Sequence, residues 1–295
     1  MKRDCLAHTL SYAERKHFEE QGFLVVKNAL SAPVLEHLTA AVDCLHQEAL
    51  EEGQATPGEL WSTTSFFDRD QAFLDLLDWP LVLPKVWGIL GWNIFLYHAH
   101  VTIKPPEANT GPGAGWLEWH QDSGRVNVEL RTFPAPRLSL KVGYFLTDVS
   151  EPGRGNFYVI PGSHLVDEVP LSSEVGRDPK EAAATGLPEA AVPVCVDAGA
   201  AVIFDRRLWH SRSANHSTLT RKVLFYGYGY RWIRPKDDMM VEHLYEHLSP
   251  IRRQLLGDAV KNNGRYAPTE EDVPLKGWLD EHLGTAAVAA MDRMD

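Results

Sequence analysis

Between Asn93 and Ile233 the sequence is a series of short apolar runs, rich in β-branched and aromatic residues, separated by Gly, Pro, Asn and Asp. The runs are NIFLYHAHVTIK, LEWHQDSGRVNVEL, RLSLKVGYFLTDV, GNFYVIPGSH, AAVPVCV, GAAVIFD and RKVLFYGYGYRWI. Seven or more short strands at this spacing favour an all-β sandwich, jelly roll or barrel over alternating βαβ units. We therefore predict a β core over residues 93–234.

Helical patterns precede this core. Ser11 and Glu14 have the capping-box spacing, which predicts a short helix. A β-rich run, GFLVVKNAL, comes next, and a second helix with apolar residues at helical spacing begins at Ser31. The apolar stretch 70–90 predicts one or two helical turns interrupted by its two prolines.

Helical patterns also follow the core, in the segments VEHLYEHL, SPIRRQLLGDAVKNN and PLKGWLDEHL. No repeat, low-complexity tract or Gly/Ser linker separates the parts of the chain. We therefore expect a single domain over residues 1–295, composed of a helical N-terminal cover (1–92), the β core (93–234) and a helical C-terminal tail (235–295).

The charge of the chain argues against two classes of partner. It has 40 acidic and 29 basic residues, a net charge of −11. An acidic surface repels nucleic-acid phosphates and anionic lipids, so we expect neither a nucleic-acid nor a membrane partner. A small-molecule substrate is the expected partner.

The cysteines and the first residues bear on location. The chain has only Cys5, Cys44 and Cys195, which fit neither a disulfide framework nor a CxxC zinc site. The opening residues lack the apolar segment of a signal peptide, and no apolar run approaches the length of a membrane span. We expect a cytoplasmic protein.

The strongest chemical pattern is the pair His120 and Asp122 in EWHQD. In a strand these side chains point to the same face, as two ligands of one metal must. His210, at the end of another predicted strand, could complete a two-histidine, one-carboxylate set, which suits non-haem Fe(II) and leaves coordination positions open.

Arg221 lies eleven residues beyond His210, at the start of the run RKVLFYGYGY. A guanidinium one hairpin from the metal could bind the distal carboxylate of a keto acid through two hydrogen bonds, which lysine would do less well. An isolated His-x-Asp is usually a pair of surface residues on a strand. Here His210 and Arg221, each at the end of a predicted strand, favour a metal site instead.

With these motifs the sequence resembles the phytanoyl-CoA dioxygenase family of Fe(II)- and 2-oxoglutarate-dependent oxygenases. The resemblance covers most of the chain and includes GFLVVKNAL, IKPP, EWHQD, VIPGSH, LWHSRSAN with Arg221, and SPIRRQLLG. It implies that His120, Asp122 and His210 bind iron and that Arg221 pairs with the 5-carboxylate of 2-oxoglutarate. The implied fold is the double-stranded β-helix, a cupin-like jelly roll with flanking helices, in agreement with the strand pattern.

The resemblance also suggests residues around the iron. The family lines its cosubstrate pocket with the strand YHAHVTIK, where alternate residues share a face, so His100 and Thr102 are candidates. Where many relatives carry a small hydroxyl residue, two positions after the distal histidine, this chain has Arg212. Arg212, together with Arg125 and Trp209, is a candidate substrate contact.

The expected activity is that of a 2-oxoglutarate-dependent dioxygenase, with Fe(II) as cofactor, 2-oxoglutarate and O₂ as cosubstrates and hydroxylation of a small organic molecule, such as a secondary metabolite, as the default outcome. A jelly-roll protein that binds a metal or ligand without turnover is the alternative. A third interpretation is a zinc peptidase, since His243-Leu-Tyr-Glu246-His247 has the H-x-x-E-H spelling.

Two further segments are interpreted from sequence. His164 in PGSH belongs to a turn and has a structural role rather than a substrate contact. The polar connection 167–191 contains little apolar material. We predict that it forms a mobile lid over the mouth of the jelly roll.

Overall fold

The computed structural model describes residues 1–107, 116–130, 132–166, 188–238, 240–259 and 263–291. The strands are β1 (Phe23–Val26), β2 (Trp61–Thr63), β3 (Ile94–Lys104), β4 (Ser139–Phe145), β5 (Phe157–Val159), β6 (Val192–Val194), β7 (Ala201–Asp205), β8 (His210–Arg212) and β9 (Arg221–Tyr230). The α-helices are α1 (Tyr12–Gln21), α2 (Ala32–Glu51), α3 (Gln71–Asp75), α4 (Leu83–Leu90), α5 (Gly124–Glu129), α6 (Pro250–Leu255), α7 (Pro274–Leu283) and α8 (Thr285–Met291). Short 3₁₀ turns cover Arg3–His8, Leu76–Asp78, Ser163–Leu165 and Glu242–His247.

The described strands form two antiparallel sheets. The larger sheet has the order β1-β7-β4-β9-β3-β2, and the smaller has the order β6-β5-β8. Phe145 and Val223 of the larger sheet pack with Phe157 and Val194 of the smaller one, so the two sheets face each other. This arrangement is the predicted jelly roll.

The outer face of the larger sheet is covered by helices. Val142, Leu224 and Tyr226 of this sheet pack in one cluster with Leu38 of α2 and Trp87 of α4. Since both faces are covered, every residue of β4 is buried. Side chains alternate along a strand, so the residues of β4 and β3 that do not face the helices point between the two sheets.

The N-terminal elements agree with the sequence predictions. The predicted capping box is present, because the Ser11 side chain accepts a hydrogen bond from Glu14 N–H and the Glu14 carboxylate accepts one from Ser11 N–H. The stretch 70–90 is helical, but Pro84 does not interrupt a helix. It lies in the first turn of α4, where its missing N–H leaves no hydrogen bond unmade.

One strand assignment from sequence was wrong, and one short strand was not predicted. The run LEWHQDSGRVNVEL is not one strand, because only His120 forms a β-bridge and Gly124–Glu129 is helix α5. Ser123, with a left-handed φ of 62°, ends the extended segment. Outside the predicted core, the short strand β2 pairs with β3 at the edge of the larger sheet.

Candidate active site

His120, Asp122 and His210 come together between the two sheets. His210 is the first residue of β8, and His120 forms a β-bridge with it through two backbone hydrogen bonds of 3.0 Å. Asp122 N–H donates to the carbonyl of Arg206, just ahead of β8. One potential ligand atom from each of the three side chains lies within 4.8 Å of the other two. Each residue is thus placed by backbone pairing rather than by a shared strand face.

Backbone carbonyls determine which imidazole nitrogen is available. His120 Nδ1 lies 2.8 Å from the carbonyl oxygen of Glu118, and His210 Nδ1 lies 2.8 Å from that of Leu208. A carbonyl can only accept, so each Nδ1 carries the proton and each Nε2 keeps a lone pair. Burial, together with the neighbouring His120, lowers the pKa of His210 to about 3. His210 is therefore neutral at physiological pH, the form that binds metals.

The two oxygens of Asp122 have different surroundings. Oδ1 accepts a hydrogen bond of 2.7 Å from Lys141 Nζ, while Oδ2 is buried and has no hydrogen-bond partner within the described part of the chain. Burial favours the neutral acid, but the charge of Lys141 outweighs it and holds the pKa of Asp122 well below its usual range. An ionised, unpartnered oxygen beside two imidazole lone pairs fits a divalent metal, and this donor set suits iron.

A cavity of about 110 Å³ connects this group to Arg221. His100 and Thr102 of β3 line it together with His120, His210 and Arg221. The two β3 residues point between the sheets, on the face predicted from the sequence. The cavity has histidines at one end and a guanidinium at the other, and Phe157, Phe204 and Phe225 also line it.

Arg221 is almost fully buried at the start of β9, where it pairs in register with Lys104. Within the described residues it forms no ion pair, and its Nε atom has no hydrogen-bond partner. Burial, reinforced by the neighbouring Arg212, lowers the pKa of Arg221 to about 9. The aliphatic part of its side chain lies against the backbone at Gly155, where an added Cβ would come within 2.9 Å of Arg221 Cδ. A buried cation without a counterion is suited to an anionic ligand.

The three candidate substrate contacts lie in different places. Arg125 lines a larger cavity of about 800 Å³ and pairs with Glu129 at 2.7 Å. Arg212 lines the smaller cavity beside Arg221. Trp209 is absent from the described lining of both cavities and packs near Trp119 and Tyr158.

The larger cavity adjoins the smaller one. His100, His120 and Lys141 line both, and Asp122 lines the larger. A molecule in the larger cavity therefore lies next to the candidate metal ligands. Sequence reasoning missed Lys141, although a single charge in the otherwise apolar run SLKVGYF was a signal that it had a buried partner.

His98 and Asp237 were also missed. His98 lines the larger cavity, and its Nδ1 atom pairs closely with the Asp237 carboxylate, which also accepts a hydrogen bond of 3.2 Å from Ala99 N–H. The sequence gives no local signal for this contact, because 139 positions separate the two residues.

The remaining predictions concern residues away from these cavities. His243 and His247 are exposed on a 3₁₀ turn, whose three residues per turn do not bring positions i and i+4 onto one face, so the geometry of a zinc peptidase is not formed. His164 is buried and its Nε2 atom lies 3.0 Å from Glu19 O, as a structural residue would. Most of the predicted lid, residues 167–187, lies outside the described residues. None of the described helices is long and apolar enough to span a bilayer.

Comparison with known proteins agrees with this geometry. The family model for phytanoyl-CoA dioxygenase (PhyH) matches residues 18–223. The ectoine dioxygenase of Nocardia farcinica is 26% identical over 233 residues, covering 70% of this chain and 74% of the relative. Dioxygenase af480 of Aspergillus fumigatus is 24% identical over 295 residues, covering 93% and 84%.

The fold has counterparts among solved structures. HygX from Streptomyces hygroscopicus, crystallised with nickel and 2-oxoglutarate, superimposes with a TM-score of 0.60 at 16% identity, over 77% of this chain and 90% of HygX. The jelly roll and the dioxygenase class expected from the sequence are thus confirmed. Because the family model matches more than half of its length, the chain belongs to the phytanoyl-CoA dioxygenase family.

Proposed function

We propose that this protein, as an Fe(II)- and 2-oxoglutarate-dependent dioxygenase of its family, hydroxylates a small organic molecule. The proposal rests on one observation above all. One potential ligand atom from each of His120, Asp122 and His210 lies within 4.8 Å of the other two, at the junction of two cavities, one of which ends at Arg221. The family match and the nickel and 2-oxoglutarate bound to HygX support it.

The three ligands have separate roles. Nε2 of His120, Nε2 of His210 and Oδ2 of Asp122 would hold iron, while the Nδ1 hydrogen bonds keep both imidazoles in the required tautomer. When bound, iron together with 2-oxoglutarate and O₂ supplies the oxidising power, with release of succinate and CO₂. Lys141 keeps Asp122 ionised and orients it through the 2.7 Å contact to Oδ1.

Arg221 binds the far carboxylate of 2-oxoglutarate. A planar guanidinium matches a carboxylate with two parallel hydrogen bonds, and the buried position strengthens them because little water competes. His100 and Thr102 line the space between this group and the metal ligands. We assign Arg212 to the same end of the cavity rather than to the substrate.

The larger cavity binds the substrate. Its volume of about 800 Å³ falls in the range of sites for small molecules, and it opens beside His120 and Asp122. Arg125 is one of the residues that line this cavity. HygX has also been crystallised with hygromycin B, a small molecule. We further propose that residues 1–295 act as one oxygenase domain and that the reaction takes place in the cytoplasm.

The test is anaerobic titration with Fe(II) and 2-oxoglutarate, followed by admission of O₂ and measurement of succinate against a panel of small molecules. We expect one Fe(II) per chain, tight 2-oxoglutarate binding that requires the metal, and succinate release that at least one substrate accelerates. Binding of both ligands without succinate from any condition would favour the non-catalytic alternative. Metal binding that survives both His210→Ala and Asp122→Ala would contradict the site itself.

A further inference from the structure

The larger cavity is cationic in an otherwise acidic protein. Among the described residues, its charged lining comprises one carboxylate, Asp122, and five cations, Arg125, Lys141, Arg206, Arg234 and Lys236. The whole chain has the opposite balance, with 40 acidic and 29 basic residues. A concave surface lined by one sign of charge concentrates ligands of the opposite sign.

Three of these cations are engaged by the protein. Lys141 pairs with Asp122, and Arg125, whose side chain is 81% exposed, pairs with Glu129. Arg206 donates to Asn127 Oδ1 at 2.6 Å and to a backbone carbonyl at 2.9 Å. These groups shape the cavity, but their charges are already partly satisfied.

Arg234 and Lys236 differ from the other three. Both side chains are exposed at the cavity, and neither forms an ion pair within the described ranges of the chain. The adjacent acidic residue, Asp237, directs its carboxylate to His98 and to Ala99 N–H instead. Two neighbouring cations thus remain available to a ligand.

The segment that carries these two cations is held in place. Lys236 N–H donates to Tyr97 O at 2.7 Å, and Asp237 bonds to the next two residues of β3 as described above. Ile233 N–H donates to Tyr230 O at the end of β9. Since the same strand β3 carries His98 and His100 on the cavity wall, the two cations have a defined position relative to the candidate metal ligands.

We propose that the substrate carries an oxyanion, a carboxylate or a phosphate, that binds Arg234 and Lys236 while the rest of the molecule extends towards His120 and Asp122. Arg234 supplies a planar fork for two oxygens and Lys236 supplies a point charge, a pairing suited to either group. The inference rests on the proposed function, because it names the substrate class of the same site.

The experiment uses protein loaded with Ni(II) and saturated with 2-oxoglutarate, so that the Arg221 end is occupied and no turnover occurs. Three probes of equal chain length, hexanoate, hexyl phosphate and hexanamide, are titrated by calorimetry. The double variant Arg234→Gln/Lys236→Gln is compared with the control Lys16→Gln/Lys27→Gln, which removes the same charge from exposed positions outside the cavity lining.

We expect at least one of the two anions to bind about tenfold more tightly than the neutral amide, to lose about tenfold in the cavity variant and to change less than twofold in the control. The anion that binds more tightly identifies which group, a carboxylate or a phosphate, the site prefers. An amide that binds as well as both anions, an equal loss in the control, or no binding by either anion would overturn the inference. Ni(II) and 2-oxoglutarate affinities are measured first, and failure there would count against the proposed function instead.

Discussion

Lys141 and Asp122 form a buried ion pair in which one carboxylate oxygen is used and the other is left open. The pair joins the middle of strand β4 to the segment that follows the His120 bridge. A buried carboxylate without a partner would become protonated, and a protonated acid is a poor metal ligand. Lys141 therefore keeps Asp122 charged and oriented before any metal arrives.

We predict that Lys141→Met weakens metal binding by about tenfold or more, because the carboxylate loses the contact that orients it. Lys141→Gln, which keeps a hydrogen-bond donor, should lose less. Calorimetric titration of Ni(II) at constant pH measures both. Tighter binding in Lys141→Met would mean that repulsion between Lys141 and the metal outweighs orientation.

The Arg221→Met variant should weaken cosubstrate binding without destabilising the fold. Loss of the guanidinium should weaken 2-oxoglutarate binding on the order of 100-fold, while metal affinity changes little. The buried charge costs folding free energy, as the lowered pKa of Arg221 indicates, so the free energy of unfolding should stay the same or rise. Urea unfolding and 2-oxoglutarate titration provide the two measurements, and equal losses in metal and 2-oxoglutarate binding would indicate a structural role.

The Gly155→Ala variant tests whether the position of the Arg221 side chain matters, while Arg221 itself is not substituted. Gly155 has a φ of 71°, and a Cβ there would lie 2.9 Å from Arg221 Cδ. Gly153→Ala is the matched control, since its φ is 88° but a Cβ would meet nothing within 4 Å. Both variants should lose about 1 kcal/mol of stability from backbone strain. Only Gly155→Ala should also weaken 2-oxoglutarate binding, and an equal effect of both on this affinity would contradict the packing argument.

Asp205 should stabilise the turn that leads to His210. Its oxygens accept hydrogen bonds of 2.7 Å from Arg137 Nε and of 2.8 Å from Arg207 Nε. Burial opposes ionisation, but the hydrogen bonds and charge of Arg207, together with Arg137, lower the pKa of Asp205 to about 2, from 3.8. Asp205→Asn should therefore cost about 3 kcal/mol at pH 7.

The stability that the Asp205 carboxylate contributes should decrease at low pH. Because the folded-state pKa lies below the unfolded value, the contribution is fully present above about pH 3.8 and disappears as the pH falls towards 2. The difference in unfolding free energy between the parent protein and Asp205→Asn should shrink across that interval in urea titrations. A difference that stays constant would show that the charge of Asp205 is not its source.

The sequence predicted those features that local pattern determines. The capping box at Ser11 and the period of the β runs depend on neighbouring residues, and both agree with the structure. The run around His120 was misassigned because the positive φ of Ser123 turns the chain into α5 before a strand can form. The three candidate ligands still meet, since the bridge between His120 and His210 supplies the geometry that the predicted strand was expected to give.

Long-range contacts account for what the sequence could not predict. Lys141 reaches Asp122 from strand β4 of the larger sheet, and Asp237 reaches His98 from beyond the last strand. Neither contact follows from spacing or propensity, because each depends on how strands are ordered in the sheet. Contacts between distant parts of the chain also determine the volumes of the two cavities. They place Arg125 on the larger cavity and Arg212 on the smaller one.

The candidate metal ligands and Arg221 belong to parts of the fold that are held by different numbers of backbone hydrogen bonds. Strand β9, which begins with Arg221, lies between β3 and β4 and is bonded on both sides, whereas the segment with His120 and Asp122 is joined to its neighbours by one β-bridge and a few further hydrogen bonds. Segments held in this way open without global unfolding. We therefore expect loss of metal to be local and reversible, so that a chelator should strip the protein and metal should reload while its sheets remain intact.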